Sequence, residues 1–440
     1  MRRTPRVLFF RNRQDPPSWP NSRMPLLWSA FAAADRPFST HAQRRTHCAC
    51  AGRYGGCLMH RLVAIDLANG RLFVDVLQMI WDRGDAALPI DQRLPASARN
   101  SLLAELRPSS VIDDAGEHGL ADGFGVEPGD AVVLSTSGSS GVPKGVVLTH
   151  DAIGSSARIT NERLAVNSGK DKWYACLPFA HIGGLSVVMR SLLGGVAFTP
   201  TAATDETSFR EAARSGHTMI SLVPAALERI EAAAWRTVLL GGSAMPELLP
   251  PNAVRTYGMT ETGSGVVYDG SPLRSVSVRV VDGEIQLRSP TLARGYRNSM
   301  GFVALPMSDD GWFLTADAGE VDTNARLTVT GRVGDMIVTG GEKVWPEPVE
   351  RVLQSVPAVR DVAVCGVADP TWGHAVVALI VATDADSPPA VESLRHWVKQ
   401  TLPAYCAPQR IVVVEEIPRT AIGKIRRRDV QTIAAAAFDS

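Results

Sequence analysis

The segment Ser135-Thr136-Ser137-Gly138-Ser139-Ser140-Gly141-Val142-Pro143-Lys144-Gly145 limits what this chain can become more than any other. It is dense in hydroxyls and glycines, ends in a lysine, and lies between the apolar runs Ala131-Val132-Val133-Leu134 and Val146-Val147-Leu148. Both runs read as short strands, so the loop joins two strands and does not cap a helix. That excludes the Walker arrangement, in which G-x-x-x-x-G-K-[ST] runs straight into a helix. The physics of polyphosphate binding is nevertheless present. Glycines expose backbone N–H groups, the hydroxyls donate to phosphate oxygens, and Lys144 supplies a mobile positive charge. A Ser/Gly-rich stretch alone also reads as a flexible linker, but the Pro143-Lys144-Gly145 ending and the tight strand flanks are unlike one.

With 440 residues, 45% of them hydrophobic, the chain is long enough for two or three domains. Its formal net charge of zero gives no electrostatic reason for a nucleic-acid partner, and no apolar run approaches the length of a membrane span. Cys176 and Cys365 sit in apolar, strand-like runs and are expected to be buried thiols, in keeping with a cytoplasmic setting. Residues 1–58 differ from the rest, being rich in arginine but without lysine or glutamate. They are expected to be disordered, with translation starting at Met59. Two alternatives are a transit peptide and a metal site around His47-Cys48-Ala49-Cys50, Cys57 and His60, whose spacing fits no standard zinc pattern.

From Met59 onward, strand and helix patterns alternate. Helices are predicted over 72–81, 152–164, 183–193, 207–214 and 225–234, and strands over 173–177, 196–199, 218–223 and 237–240. This is an α/β pattern with a largely parallel sheet. Alternation over 275–287 marks antiparallel structure. The remainder reads as a smaller α+β unit with two strands around 327–339, helices over 348–354 and 391–402, and strands over 362–367, 376–381 and 411–414.

The phosphate loop resembles the signature of the adenylate-forming (AMP-binding) superfamily, and further motifs follow in that family's order. Tyr257-Gly258-Met259-Thr260-Glu261-Thr262 is similar to its second signature. Gly311-Trp312-Phe313-Leu314-Thr315-Ala316-Asp317 and Gly331-Arg332 resemble its ribose contacts, and Pro418-Arg419-Thr420-Ala421-Ile422-Gly423-Lys424 its terminal motif. The resemblance implies a large adenylation domain (59–331, parallel α/β sheets plus a small β-barrel, the first subdomain shortened) and a smaller mobile α+β domain (332–440). It implies ATP, CoA and Mg²⁺ as partners. Ser135, Thr136, Ser137, Gly138, Ser139, Ser140, Gly141 and Lys144 would hold phosphates, as would Gly241, Gly242, Tyr257, Gly258, Met259 and Thr260 the nucleotide. Asp317 and Arg332 would grip the ribose, Glu261 the metal, and Lys424 would join carboxylate to α-phosphate. Gly334 falls at the hinge position, with Gly340 and Gly341 beside the CoA tunnel. Glycine at the hinge permits a large backbone change but holds neither pose electrostatically.

Pro178-Phe179-Ala180-His181-Ile182-Gly183-Gly184 resembles the acyl-CoA ligase pattern, which places His181 at the acyl pocket. The stretches 188–192, 221–224, 255–270 and 292–298 are similar to the short actinobacterial o-succinylbenzoate–CoA ligases of menaquinone synthesis. This implies a substrate with two carboxylates, one reacting and one anchored, with Ser221 in the pocket. Arg190 is the candidate anchor, since a guanidinium suits bidentate carboxylate pairing; a surface position on a helix is the alternative. A ligase for another aryl or medium-chain acid and a non-catalytic AMP-binding protein also stay open, as does self-association.

Overall fold

The computed structural model describes residues 60–137, 143–242, 245, 248–419, 423 and 425–438; the expectations for residues 1–58 and Met59 fall outside this range. An eight-stranded sheet runs in the order 301–304, 295–298, 143–149, 130–137, 86–89, 62–65, 110–113, 116–119. Its middle strands, from 130–137 to 110–113, are parallel, and 143–149 turns back antiparallel on 130–137. A seven-stranded sheet, ordered 271–272, 264–268, 253–259, 237–240, 219–222, 172–175, 197–200, is parallel from 253–259 to 197–200.

Local sequence explains the helices. Arg71–Asp82 buries Phe73, Val74, Val76, Leu77 and Ile80, the spacing of one apolar face. His150–Arg163 starts where the Thr149 hydroxyl accepts the Ala152 N–H at 3.1 Å, with Asp151 in its first turn and Arg163 in its last. One apolar core spans both sheets, with the Phe73 and Phe179 rings 5.1 Å apart. No helix among the described residues is long and apolar enough to cross a membrane. Cys176, Cys365 and Cys406 are buried free thiols, and burial pushes Cys176 up to about 12.

The structure departs from the sequence reading in several places. Segment 225–234 forms two 3-10 turns, Pro224–Arg229 and Ala232–Ala234, because Ile230 is extended (φ −117°, ψ 147°). Leu227 and Ile230 pack against the core around Phe209 and Trp235, and that packing outweighs the helix propensity of the alanines. The small barrel is an open four-stranded antiparallel sheet, 277–281, 284–288, 313–321, 327–332, whose outer strands are not paired with each other. Strand 327–332 belongs to that sheet, so only 337–339 of the two strands around 327–339 joins the C-terminal unit. That unit is a five-stranded sheet with helices Pro346–Gln354, Val391–Thr401 and Arg427–Ala436, the last not anticipated. Strands 253–259, 264–268 and 295–298 were also not anticipated.

Candidate active site

Open α/β sheets bind ligands beyond the carboxyl ends of their parallel strands. Asp91 and Arg93 follow strand 86–89, Ser135 to Ser137 close 130–137, and His181 follows 172–175. Ser221 lies near the end of 219–222, Gly241 and Gly242 follow 237–240, and Thr260 and Glu261 follow 253–259. Residues far apart in sequence therefore gather at the strand ends of the two sheets, which the Lys144–Glu261 and Asp91–His181 contacts join.

Lys144 opens the return strand of the hairpin, opposite Thr136. Its Nζ lies 3.4 Å from Glu261 Oε1 and 3.7 Å from the centre of the Tyr296 ring. Tyr296 donates its hydroxyl to the same Glu261 oxygen at 3.0 Å. Strand 295–298 pairs antiparallel with 143–149 and sets Tyr296 opposite Val146, two residues along from Lys144 and so on the same sheet face. Burial, then the Glu261 charge, pushes the Tyr296 phenol up, so it remains a donor. Glu261 stands in the 3-10 turn Thr260–Thr262, where the Thr262 hydroxyl accepts the Met259 N–H at 2.9 Å. Gly258 lets the strands approach, since a Cβ there would lie 2.2 Å from the Ser264 carbonyl oxygen. Thr260 is half-buried beside this pair.

A second cluster forms on the same strand. Tyr257 donates to Asp317 Oδ2 at 2.8 Å, and Arg332 Nε lies 2.7 Å from Asp317 Oδ1 across paired strands. Burial and the Asp317 charge push the Tyr257 phenol up.

His181 Nε2 lies 3.0 Å from Asp91 Oδ2, and Arg93 forks onto Asp91 at 2.8 and 2.7 Å. Burial pushes Asp91 upward, but hydrogen bonds from Arg93 and His181 outweigh it and hold the carboxyl well below the usual range. Arg190 is 2% exposed, which rules out the surface alternative. It donates to the Ser186 carbonyl at 2.9 Å and to the Ser186 and Ser264 hydroxyls at 2.6 and 3.1 Å, and its other terminal nitrogen has no hydrogen-bond partner among the described residues. Ser264 opens strand 264–268, which follows the Glu261 turn.

Ser135 and Thr136 are half-buried, Ser221 is buried, and Gly242 has a left-handed φ of 87°. Gly340 and Gly341 turn between strands 337–339 and 342–344. A Cβ at Gly334 would meet nothing within 4 Å, so sterics do not demand glycine there. Gly138, Ser139, Ser140, Gly141, Lys424 and the side chain of Ser137 lie outside the described residues. Tyr296, Asp91 and Arg93 had not been singled out; an aromatic hydroxyl in the 292–298 stretch was the only signal.

Among the described residues no group of three or more His, Cys, Asp or Glu side chains is placed to hold a metal. The single carboxylate of Glu261 instead fits Mg²⁺, which is held by one or two carboxylates with waters and substrate phosphates.

The two α/β sheets, the phosphate hairpin and the separate α+β unit define an adenylate-forming enzyme. The AMP-binding enzyme family matches residues 125–297, and the AMP-binding enzyme C-terminal domain matches residues 348–424. A Mycobacterium tuberculosis protein named "Probable 2-succinylbenzoate–CoA ligase" is 38% identical over 81% of this chain and 93% of its own length. A Listeria monocytogenes 2-succinylbenzoate–CoA ligase is 35% identical over 68% of this chain and 69% of its own. The Bacillus subtilis o-succinylbenzoate CoA synthetase, solved with the acyl-adenylate OSB-AMP, is 25% identical with a TM-score of 0.73, covering 85% of this chain and 89% of that one. The chain belongs to the AMP-binding enzyme family.

Proposed function

We propose that the protein is an AMP-forming acid–CoA ligase acting on 2-succinylbenzoate in the cytoplasm, with a large domain over 59–331 and a mobile one over 332–440. The carboxylate oxygen attacks the α-phosphorus of ATP, the bond to the β-phosphate breaks, and pyrophosphate leaves with the acyl-adenylate behind. The CoA sulfur then attacks the acyl carbon and AMP departs.

The observation that carries this reading is the meeting of Lys144 and Glu261, 117 positions apart in sequence, at 3.4 Å on the strand-end rim. Two anions must approach in the first step, so its barrier is largely electrostatic. Lys144 and the hydroxyl loop neutralise the β- and γ-phosphates. Tyr296 holds the Glu261 carboxylate in place while Lys144 leaves it for phosphate. Glu261 would hold Mg²⁺, which when bound would supply charge neutralisation to the phosphates. Asp317, Tyr257 and Arg332 grip the ribose, and Lys424 brings carboxylate to α-phosphate. Arg190 anchors the benzoate carboxylate.

A pyrophosphate-release assay over a panel of acids tests the reading. Release with 2-succinylbenzoate should exceed that with benzoate or hexanoate at least about tenfold, the discrimination of one charged contact of ~1.4 kcal/mol. Equal rates would indicate a broad aryl or medium-chain ligase. No acid-dependent release would indicate a non-catalytic AMP-binding protein.

A further inference from the structure

A guanidinium has five N–H groups, and the hydrogen bonds of Arg190 spend three of them inside the protein. Arg190 stands on the helix Ile182–Gly194 one turn beyond Ser186, so the two side chains share a face. Nε donates to the Ser186 carbonyl at 2.9 Å. One terminal nitrogen donates to the Ser186 hydroxyl at 2.6 Å and, across to strand 264–268, to the Ser264 hydroxyl at 3.1 Å. The two N–H groups that remain belong to the other terminal nitrogen, which has no hydrogen-bond partner among the described residues. The Tyr268 hydroxyl, 3.4 Å from the Thr160 hydroxyl, lies close enough to oppose the effect of burial on Arg190 but makes no hydrogen bond of good geometry with it.

Both bidentate faces of a guanidinium use the terminal nitrogen that here points at Ser186 and Ser264, one face together with Nε and the other together with the second terminal nitrogen. The two-pronged pairing expected from the sequence is therefore closed, and a carboxylate meets Arg190 only through its one free nitrogen. The partners are also uncharged. Arg236 and Arg294, in the same domain, fork onto Asp171 at 2.8 and 2.9 Å and onto Asp130 at 2.9 and 2.8 Å, which cancels their charge. Ser186 and Ser264 are both buried and hold Arg190 without cancelling it. A carboxylate at either place would saturate the cation from within.

We propose that Ser186, together with Ser264, is a positioning residue that sets acid specificity. The two hydroxyls aim the free nitrogen of Arg190 at the acid pocket and, being uncharged, leave its charge to be met by the second carboxylate of an incoming diacid. That carboxylate is gripped by one nitrogen and not by a fork. A neutral acid of the same shape leaves the guanidinium buried and unpaired, so it is selected against. This inference deepens the ligase reading above and rests on it.

The test measures kcat and KM for pyrophosphate release by the full chain, with 2-succinylbenzoate and with its benzoate methyl ester. Ser186→Asp places a carboxylate one turn from Arg190 and should lower the preference for the diacid over the ester at least about tenfold, the size of one charged contact, while the rate with the ester stays close to wild type. Ser186→Ala keeps the site neutral but loosens the aim. The KM for the diacid should then rise about tenfold, the scale of one hydrogen bond to a charged group, with kcat and the KM for ATP unchanged, and the same substitution in the Arg190→Met background should add nothing. Alanine is well tolerated in a helix, so Ser186→Ala decides the matter even where a buried aspartate unfolds the chain. An undiminished diacid preference in a folded Ser186→Asp, an unchanged KM in Ser186→Ala, or an equal rise in KM for diacid, ester and ATP would each overturn the assignment. A wild-type protein without preference for the diacid would overturn the anchor reading and this inference with it, a result visible before any variant is made.

Discussion

Two arginines withdrawn from water, Arg190 fully buried in the large domain and Arg427 half-buried in the C-terminal unit, solve the problem of a desolvated cation in opposite ways. Arg427 in the C-terminal unit is tied to three carboxylates: it makes a short fork to Glu350, lies 3.2 Å from Glu347 and 3.6 Å from Asp335. Burial lowers its pKa, but those acids outweigh burial and raise it. Arg190 in the large domain sits against Ser186, Ser264 and the Trp173 ring, and among the described residues no carboxylate hydrogen-bonds it and one terminal nitrogen is unpartnered. Burial lowers its pKa, and only the Tyr268 hydroxyl opposes that. Arg297 shows that a lack of acid is not enough to mark a binding site. It is 4% exposed, yet the carbonyls of Leu106, Arg107, Phe124 and Gly125 take up its N–H groups. What sets Arg190 apart is a buried charge met only by hydroxyls and a carbonyl, with one terminal nitrogen that makes no hydrogen bond of good geometry among the described residues. A guanidinium saturated by its own protein is structural, and one left unsaturated is available to an anion.

The largest expected effect breaks the saturated side. Arg427→Met strands three half-buried carboxylates and should cost about 3 kcal/mol of stability, the lower end of what breaking a fully buried ion pair costs, read by urea denaturation. Its pH dependence has a definite sign. Burial, against opposing arginine charges, raises the folded pKa of Asp335 and Glu347 above the unfolded values. The stability these groups contribute is present below the ordinary carboxylate pKa and lost as pH rises through the raised values. Removing Arg427 raises them further, so the deficit of the variant should shrink on acidification. A deficit independent of pH would contradict this.

Arg190→Met is the contrasting case. With no ion pair broken, replacing an unsaturated buried cation by an apolar side chain should be neutral or stabilising by roughly 1 kcal/mol or more, in the same denaturation assay. A loss as large as that for Arg427→Met would erase the distinction between the two sites.

The smallest effect concerns an anion held by partial saturation. Tyr296→Phe keeps the ring under Lys144 but removes one hydrogen bond to Glu261, a loss of about 1.5–3 kcal/mol at most for a charged acceptor. Adenylation should fall between a few-fold and about a hundredfold, with the thioester step spared. Equal loss in both steps would return Tyr296 to a packing role.

Sequence reading reached these sites unevenly, for physical reasons. The hairpin holding Lys144 and the turn holding Glu261 were legible because each is local, with strand, glycine and hydroxyl signals in one short stretch. Tyr296 was missed because its role arises only when strand 295–298 pairs with 143–149, a register no local pattern encodes. Asp91 was missed for the same reason, since its partner His181 comes from another sheet. Arg190 stayed undecided between surface and pocket because its helix is buried along every residue from Gly184 to Ser191, so no polar face marks which way a charged residue points. Ala225 to Ala234 misled because alanine propensity is a weak term beside the packing of Leu227 and Ile230.

The central claim is that the unsaturated guanidinium of Arg190 is neutralised by the non-reacting carboxylate of the substrate. The most direct measurement is kcat/KM for pyrophosphate release with 2-succinylbenzoate and with its benzoate methyl ester, in the wild-type protein and in Arg190→Met. Combined as a double-substitution cycle, the four values give the coupling between side chain and carboxylate. The account predicts about 2–5 kcal/mol, the cost of leaving one member of a desolvated charge pair alone, with ATP binding unchanged. A coupling near zero, or a wild-type enzyme indifferent to the second carboxylate, would contradict it.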